Sequence, residues 1–345
     1  MSARLPRVAI NGFGRIGRAL ARIITQDPNC PFEWVAVNDL TDNEDLAYLL
    51  RYDSTHGRLA TKVTVEENAF QVGDLRVLSY AERDPAKLPW DELGVDLVIE
   101  CTGHFRKRAQ AALHLNAGAS KVVISAPGDG GDPPDATVVY GINDSVLSAD
   151  DAVISAASCT TTCLAPVVKV LDERFGIESG NMTTIHAWTA DQAIVDGPHS
   201  SDPRRGRTAA SNIVPTSTGA AKAIGLVLPA LAGKLHGSAI RVPVQDVSLI
   251  DLVVRTKTSA TVAEINDAFR AAAASLPAGV LRVEDDPIVS SDLIGESTGS
   301  VVDAALTAVA GDRLIRVVSW YDNEWGYASR LYQLVCALAR SQSEV

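Results

Sequence analysis

A short apolar strand, a glycine-spaced turn and a helix follow one another at the start of this chain, and few folds accept that combination. The Arg7–Asn11 strand runs into Gly12-Phe13-Gly14-Arg15-Ile16-Gly17, and a helical pattern continues through Ile24. A second apolar strand, residues 34–38, ends at Asp39, 22 residues past Gly17. The result is a βαβ unit of the size of one mononucleotide-binding half. In a G-x-G-x-x-G turn the first glycine permits the tight bend, the second lets a pyrophosphate reach the backbone, and the third lets helix and strand pack closely. The helix N-terminus adds amide donors and the positive end of its dipole. Six residues alone are weak support, and the flanking strand, helix and distant acid make the pattern specific. The competing reading is a glycine-rich turn needed only for packing. Asp39 favours NAD over NADP, because a carboxylate accepts from ribose hydroxyls and repels a 2′-phosphate. It could also cap a helix at 43–50.

Further strand-like runs at 96–101, 121–125 and 152–155 alternate with helical patterns, notably 107–117. Alternation of this kind predicts an α/β fold with a doubly wound parallel sheet, an N-terminal Rossmann domain. The texture changes after Cys159. A helix is expected over 160–175, then longer β-rich runs at 181–188, 239–243, 247–256 and 314–322, with a helix near 262–274. These predict a C-terminal α+β catalytic domain with a mixed or antiparallel sheet. The expected boundaries are 1–158 and 159–323, with a last helix in 324–345 packing back on the first domain. Residues 189–215 form a long polar, arginine-bearing stretch, which in a compact domain is usually functional or an interface.

With 345 residues the chain is long enough for two buried cores. Its net charge of −11 argues against nucleic-acid binding through phosphate neutralisation. Five cysteines, an odd number without framework spacing, fit a reducing compartment. The first residues carry no secretory h-region, and no apolar run approaches the ~18 residues needed to span a bilayer. The expected setting is therefore the cytoplasm, with no membrane or nucleic-acid partner. No cysteine and histidine spacing reads as a metal site.

Ser158-Cys159-Thr160-Thr161-Thr162-Cys163 reads as a polar turn entering a helix, with His186 following 27 residues after Cys159. A cysteine at a helix N-terminus is expected to have a lowered pKa and more of the nucleophilic thiolate. A histidine on a later strand can complete a Cys–His pair. A nucleophilic thiol beside a hydride acceptor points to oxidation of an aldehyde through a thioester. The bland alternative for Cys159 is a buried small hydrophobe, at odds with its hydroxyl-rich surroundings. Cys163, one turn on, reads as an inert or redox-adjacent thiol. His186 gains meaning only from Cys159, and His56, His104, His114, His199 and His236 have no comparable context. Arg204, Arg205, Arg207 and Arg241 are candidate anion binders. Thr216-Ser217-Thr218-Gly219 adds hydroxyls and amides at an expected helix start. Arg241 stands in an apolar strand, where an unpartnered charge is costly.

Taken in order along the whole chain, these motifs resemble the phosphorylating glyceraldehyde-3-phosphate dehydrogenase family. The resemblance also covers Thr184-Ile185-His186, residues 215–222, Arg241-Val242-Pro243, and residues 320–327 with Asn323. It implies a two-domain homotetramer that uses NAD. It further implies Cys159 as nucleophile and His186 as base, acting on glyceraldehyde 3-phosphate and inorganic phosphate. By position, Thr189 and Arg241 match the site for the substrate's own phosphate. Ser158, Thr160, Arg205, Thr218 and Gly219 match the region for attacking phosphate. Asn323 matches the contact to the nicotinamide carboxamide, and Thr102 and Ser125 are read as further cofactor contacts. The stretch 189–215 matches a loop lining the neighbouring subunit's cofactor site. The chain departs from the family pattern at Ala156, Thr162, Gly197 and Ala328-Ser329. Two other readings compete. One is an erythrose-4-phosphate dehydrogenase, disfavoured by Thr189 and the 218–221 run. The other is a non-enzymatic NAD-binding redox sensor.

Overall fold

The computed structural model describes residues 4–343. Residues 4–140, 144–157 and 331–343 cluster as one compact unit, and residues 141–143 and 158–330 as another.

The first unit is built on a nine-stranded sheet. Seven strands are parallel, in the order Ala136–Thr137, Val153–Ser155, Lys121–Ile124, Leu97–Glu100, Arg7–Asn11, Glu33–Asn38 and Leu75–Tyr80. Ala69–Val72 and Val63–Glu66 continue the edge antiparallel. The chain order reverses at Arg7–Asn11, which pairs Val8 with Trp34 on one side and with Leu97 on the other. Such a switch point leaves a crevice beyond the strand ends. Val8, Ala9 and Ile10 are fully buried, as a strand covered on both faces requires. Phe13 stacks on Trp34 and on Phe70 in the core beside it. Leu331, Leu334, Val335 and Leu338 of the Trp325–Ser343 helix join the same core, and Tyr332 donates to Asp27 at 2.6 Å.

Two details differ from the sequence reading. The helix expected over 107–117 is broken into Arg108–Ala111 and Leu113–Asn116, because Ala112 takes a flattened last-turn geometry between them. The 63–80 hairpins form at a sheet edge from short strands with several half-exposed positions, which leave little alternation to read.

The second unit carries an eight-stranded mixed sheet. Val214–Ser217, Leu235–Val242, Ile177–Ala187, Ser248–Thr256, Leu314–Tyr321, Val301–Asp303 and Arg282–Glu284 lie side by side, and Ala308–Ala310 pairs with Leu314–Tyr321. Only the Ile177–Ala187/Leu235–Val242 and Arg282–Glu284/Val301–Asp303 pairs are parallel. The Cys159–Phe175 helix packs on this sheet and against the Ala220–Val227 and Val262–Ser275 helices. Its first turn, Thr160 to Cys163, is already buried. Thr261 and Glu264 close a capping box on the Val262–Ser275 helix. No helix among the described residues is long and apolar enough to cross a membrane.

Candidate active site

The glycine turn meets each physical requirement separately. Gly12 sits at φ +94°, and a Cβ there would lie 2.6 Å from Thr102 N. A Cβ on Gly17 would lie 2.3 Å from the Gly12 carbonyl oxygen. Gly14 has nothing within 4 Å of its Cβ position, so the approach to the helix start is open. Gly14 is also the N-cap of the Arg15–Gln26 helix and offers no capping side chain. A cavity of about 440 Å³ lies over this turn, bounded by Gly12, Gly14, Asp39, Arg83, Thr102 and Phe105 among others. The shape and donor set fit a dinucleotide: an uncapped helix N-terminus for phosphates and a carboxylate for ribose hydroxyls.

Asp39 does not cap the following helix. Asp42 does so, accepting from Asp45 N, while Asp39 accepts from Phe13 N at 2.7 Å and Thr41 N at 3.0 Å. The carboxylate is thereby fixed at the cavity wall. The other fingerprint side chains turn away from the cavity. Phe13 is core, Ile16 packs against that core, and Arg15 pairs with Asp53 at 2.5 Å. Ser125 donates its backbone N–H to Glu100 and is not among the lining residues. Asn323 belongs to the second unit, where it accepts from Ser248 Oγ at 2.7 Å.

In the second unit Ser158 caps the Cys159–Phe175 helix by accepting from Thr161 N at 3.0 Å, which puts Cys159 on the first turn. The preceding Ala157 takes φ +56°, an uncommon left-handed conformation for a residue with a side chain. Cys159 Sγ lies 3.6 Å from His186 Nε2. Strand register explains the next neighbour, because His186 pairs with Arg241 across parallel strands. Arg241 Nη1 lies 2.5 Å from His186 Nδ1 and donates to the Ala187 carbonyl at 2.9 Å. A guanidinium only donates, so toward Arg241 Nδ1 must accept, with the ring proton on Nε2; toward the Ala187 carbonyl, 2.7 Å away, Nδ1 can only donate, so the two contacts select opposite tautomers. Tyr321 meets the His186 ring edge-on, and its hydroxyl lies 2.9 Å from both Thr160 Oγ1 and Thr184 Oγ1.

The electrostatics reverse one expectation. Burial pushes the Cys159 thiol above its ordinary value, outweighing the Arg241 charge and the Thr160 hydrogen bonds that pull it down. Burial, and then Arg241, lower His186 to about 3. The pair in this arrangement is a thiol beside a neutral imidazole, not a thiolate beside an imidazolium. Cys163 is fully buried against Ser300 and Ser319, with its thiol pushed up to about 12 by burial, as suits an inert core thiol.

The arginines of the 189–215 loop separate. Arg205 binds Asp191 at 2.7 Å and Thr216 Oγ1 at 2.9 Å, and Thr189 donates to the same Asp191 at 2.6 Å. Asp191, two residues beyond Thr189, carries no distinguishing signal in the sequence, because loop acids are common; it joins two predicted anion-site residues. Against the upward push of burial, Thr189, Arg241 and Arg205 hold it below the usual carboxylate range. Arg207 pairs with Asp196, and Arg204 is exposed. Thr218 Oγ1 accepts from Ala220 N at 3.2 Å, and Gly219 caps the Ala220–Val227 helix, so the expected helix start is present. Ala156 packs in the first core, and Thr162 is buried near Gly299, where its methyl group would meet an added Cβ at 3.3 Å.

Residues 6–108 match the family model for the NAD binding domain of glyceraldehyde 3-phosphate dehydrogenase, and residues 158–323 match that for its C-terminal domain. The chain is 52% identical over 336 residues to glyceraldehyde-3-phosphate dehydrogenase of Kitasatospora aureofaciens, covering 97% of this chain and 99% of that one. It is 52% identical over 340 residues to that of Mycobacterium avium, with the same coverage. It is 51% identical over 335 residues to glyceraldehyde-3-phosphate dehydrogenase 1 of Bacillus subtilis, covering 97% and 98%. A fingerprint turn with its acid at a cavity wall, a Cys–His contact at a helix start, and matches spanning nearly the whole chain lead to one assignment: the protein belongs to the glyceraldehyde-3-phosphate dehydrogenase family.

Proposed function

We propose that the protein catalyses the reversible oxidation and phosphorylation of D-glyceraldehyde 3-phosphate to 1,3-bisphosphoglycerate with NAD. The observation that carries the reading is Cys159 Sγ at 3.6 Å from His186 Nε2 on the first turn of a buried helix. Residues 1–158 and 324–345 serve as the NAD-binding domain and 159–323 as the catalytic domain. Gly12, Gly14, Gly17, Asp39 and Thr102 hold the cofactor, with Asn323 on its carboxamide. NAD, when bound, supplies the hydride acceptor.

Cys159 attacks the aldehyde and forms a thiohemiacetal. Arg241 and Thr189 hold the substrate's phosphate. A phosphate that draws Arg241 off His186 frees Nδ1 to donate to the Ala187 carbonyl 2.7 Å away, which leaves Nε2 as the base. His186 then takes the hydroxyl proton as the same carbon gives up its hydride to the acceptor and becomes a thioester carbonyl, and the Cys159 N–H with His186 stabilises the oxyanion. Arg205, Thr218, Gly219, Ser158 and Thr160 receive inorganic phosphate, which attacks the thioester and releases the acyl phosphate. The reading includes a cytoplasmic homotetramer. Ile194 and Val195, 81% and 73% exposed in the 189–215 loop, support a subunit contact there.

The test is NADH formation from glyceraldehyde 3-phosphate and NAD, with and without inorganic phosphate. Strong phosphate dependence is expected. Sustained turnover without phosphate would favour a hydrolytic relative such as erythrose-4-phosphate dehydrogenase, and NAD binding without turnover would favour the redox sensor.

Cofactor choice gives a second prediction. Asp39→Asn removes the charge and one of two acceptors that meet Phe13 N and Thr41 N. The NAD KM is expected to rise about 10-fold or more, the loss of a charge-assisted hydrogen bond, while the preference over NADP narrows. Steady-state rates with both dinucleotides measure this, and an unchanged preference ratio would remove Asp39 from the role.

A further inference from the structure

Beneath the dinucleotide cavity lies a chain of buried polar side chains that the reaction above does not use. It starts at Trp90, whose indole N–H donates to His114 Nδ1 at 3.0 Å. His114 Nε2 lies 3.3 Å from Glu100 Oε2, which also accepts from Asn11 Nδ2 at 2.5 Å. Asn11 Oδ1 accepts from Asn38 Nδ2 at 2.7 Å, and Asn38 closes on the Glu82 backbone, donating to its carbonyl at 2.9 Å and accepting its N–H at 2.8 Å. The other carboxylate oxygen, Glu100 Oε1, accepts from Thr102 N at 2.7 Å and from the Thr102 hydroxyl, whose oxygen in turn accepts from His104 N at 3.1 Å. Trp90, His114, Glu100 and Asn11 are each no more than 1% exposed.

The direction of every bond in this chain is fixed from its ends. An indole N–H can only donate, so His114 Nδ1 must accept and the ring proton lies on Nε2, aimed at Glu100. At the far end, the Glu82 backbone offers one donor and one acceptor that cannot exchange places, which fixes the Asn38 amide and through it the Asn11 amide. The Asn11 Nδ2 atom also lies 3.3 Å from His114 Nε2, and both N–H groups converge on one oxygen of Glu100. Two donors therefore meet each oxygen of Glu100, and an acceptor-only group is the one side chain that fits between them.

We infer that Glu100 is a positioning residue for dinucleotide binding, fixed by the Nε2-protonated tautomer of His114 that Trp90 imposes, and that it sets two walls of the cavity at once. One wall is the Thr102–His104 turn, which it holds directly. The other is the Glu82–Arg83 segment, which it reaches through Asn11 and Asn38; all four of these wall residues line the cavity. The Gly12 turn touches both sides: its N–H donates to the Asn38 carbonyl at 2.8 Å, and an added Cβ would meet Thr102 N at 2.6 Å. The inference rests on the NAD-binding reading of this unit.

The experiment is calorimetric titration of the full-length protein with NAD, comparing wild type, Glu100→Gln and the double variant Trp90→Phe with Glu100→Gln. A glutamine in either orientation turns its NH2 group toward fixed donors. Glu100→Gln is expected to raise the NAD Kd about 10- to 100-fold, with kcat at saturating NAD falling far less. Removing the indole N–H lets His114 carry its proton on Nδ1, so that Nε2 accepts from Asn11 or Gln at position 100. The double variant should then bind NAD more tightly than Glu100→Gln alone, a rescue that a loss of packing cannot produce. Additive losses, or a Glu100→Gln variant that binds within twofold of wild type, would overturn the inference. A wild type that does not bind NAD would instead overturn the reading on which it rests. If Glu100→Gln does not fold, 15N NMR of histidine-labelled wild type decides: a proton on Nε2 of His114 supports the inference, and a proton on Nδ1 overturns it.

Discussion

Replacement of Cys159 by serine is expected to lower phosphate-dependent NADH formation by about 10⁴-fold or more while leaving NAD binding and folding close to wild type. The chemical part of the argument is that a hydroxyl is far harder to ionise than a thiol. Burial already pushes the Cys159 thiol up, and it would disfavour an alkoxide still more. The structural part is that serine is nearly isosteric and the turn does not depend on the sulfur. Ser158 keeps its cap on Thr161 N, and Thr162 N still donates to the Ser158 carbonyl at 2.8 Å. Single-turnover assays with titration of NAD separate the two parts. Turnover within about 100-fold of wild type would remove Cys159 from the nucleophile's role.

The second large effect is expected at His186. His186→Asn should slow acylation by about 10²- to 10⁴-fold, the range for loss of a positioned acid–base group. It should also change how stability depends on pH. Burial first, and then Arg241, hold His186 at about 3 in the folded chain, against about 6.5 when unfolded. Between those values the unfolded chain binds the extra proton, so stability rises with pH. This contribution is complete above about pH 6.5 and is lost as pH falls toward 3, at no more than ~1.4 kcal/mol per pH unit. Asparagine has no such proton. Urea unfolding at pH 7, 5.5 and 4.5 should therefore give a shallower decline for His186→Asn than for wild type. Equal slopes would mean that His186 is not held neutral by its surroundings.

These two residues also mark the limit of what periodicity and spacing reveal. The polar turn at Ser158 and the apolar run after it foretell a helix start, and Cys159 is found there. The strand carrying His186 is equally legible, though it begins earlier, at Ile177, than its apolar stretch suggests. The 3.6 Å contact between the two joins residues 27 positions apart, and Arg241 reaches His186 from 55 positions away. Neither distance follows from a local pattern. The upward shift of the thiol depends on how much water the surrounding fold excludes, which a helix N-terminus by itself does not specify.

The first unit divides in the same way. Gly12, Gly14, Gly17 and Asp39 were readable as candidates because the backbone geometry of one βαβ unit allows few alternatives at those positions. That Asp42 and not Asp39 caps the next helix, and that Phe13 faces the core, depended on side-chain directions fixed by packing. His114 carried no signal at all, since its partners Glu100, Trp90 and Asn11 lie 14, 24 and 103 positions away. By itself the sequence determined most of the order of strands and helices, the glycine turn and the candidate groups for chemistry, because local contacts repeat at short fixed intervals. The tertiary structure alone decided which of those groups meet, which tautomer and charge state each holds, and which side chains are silent core, because these depend on burial and on contacts between residues distant in the chain.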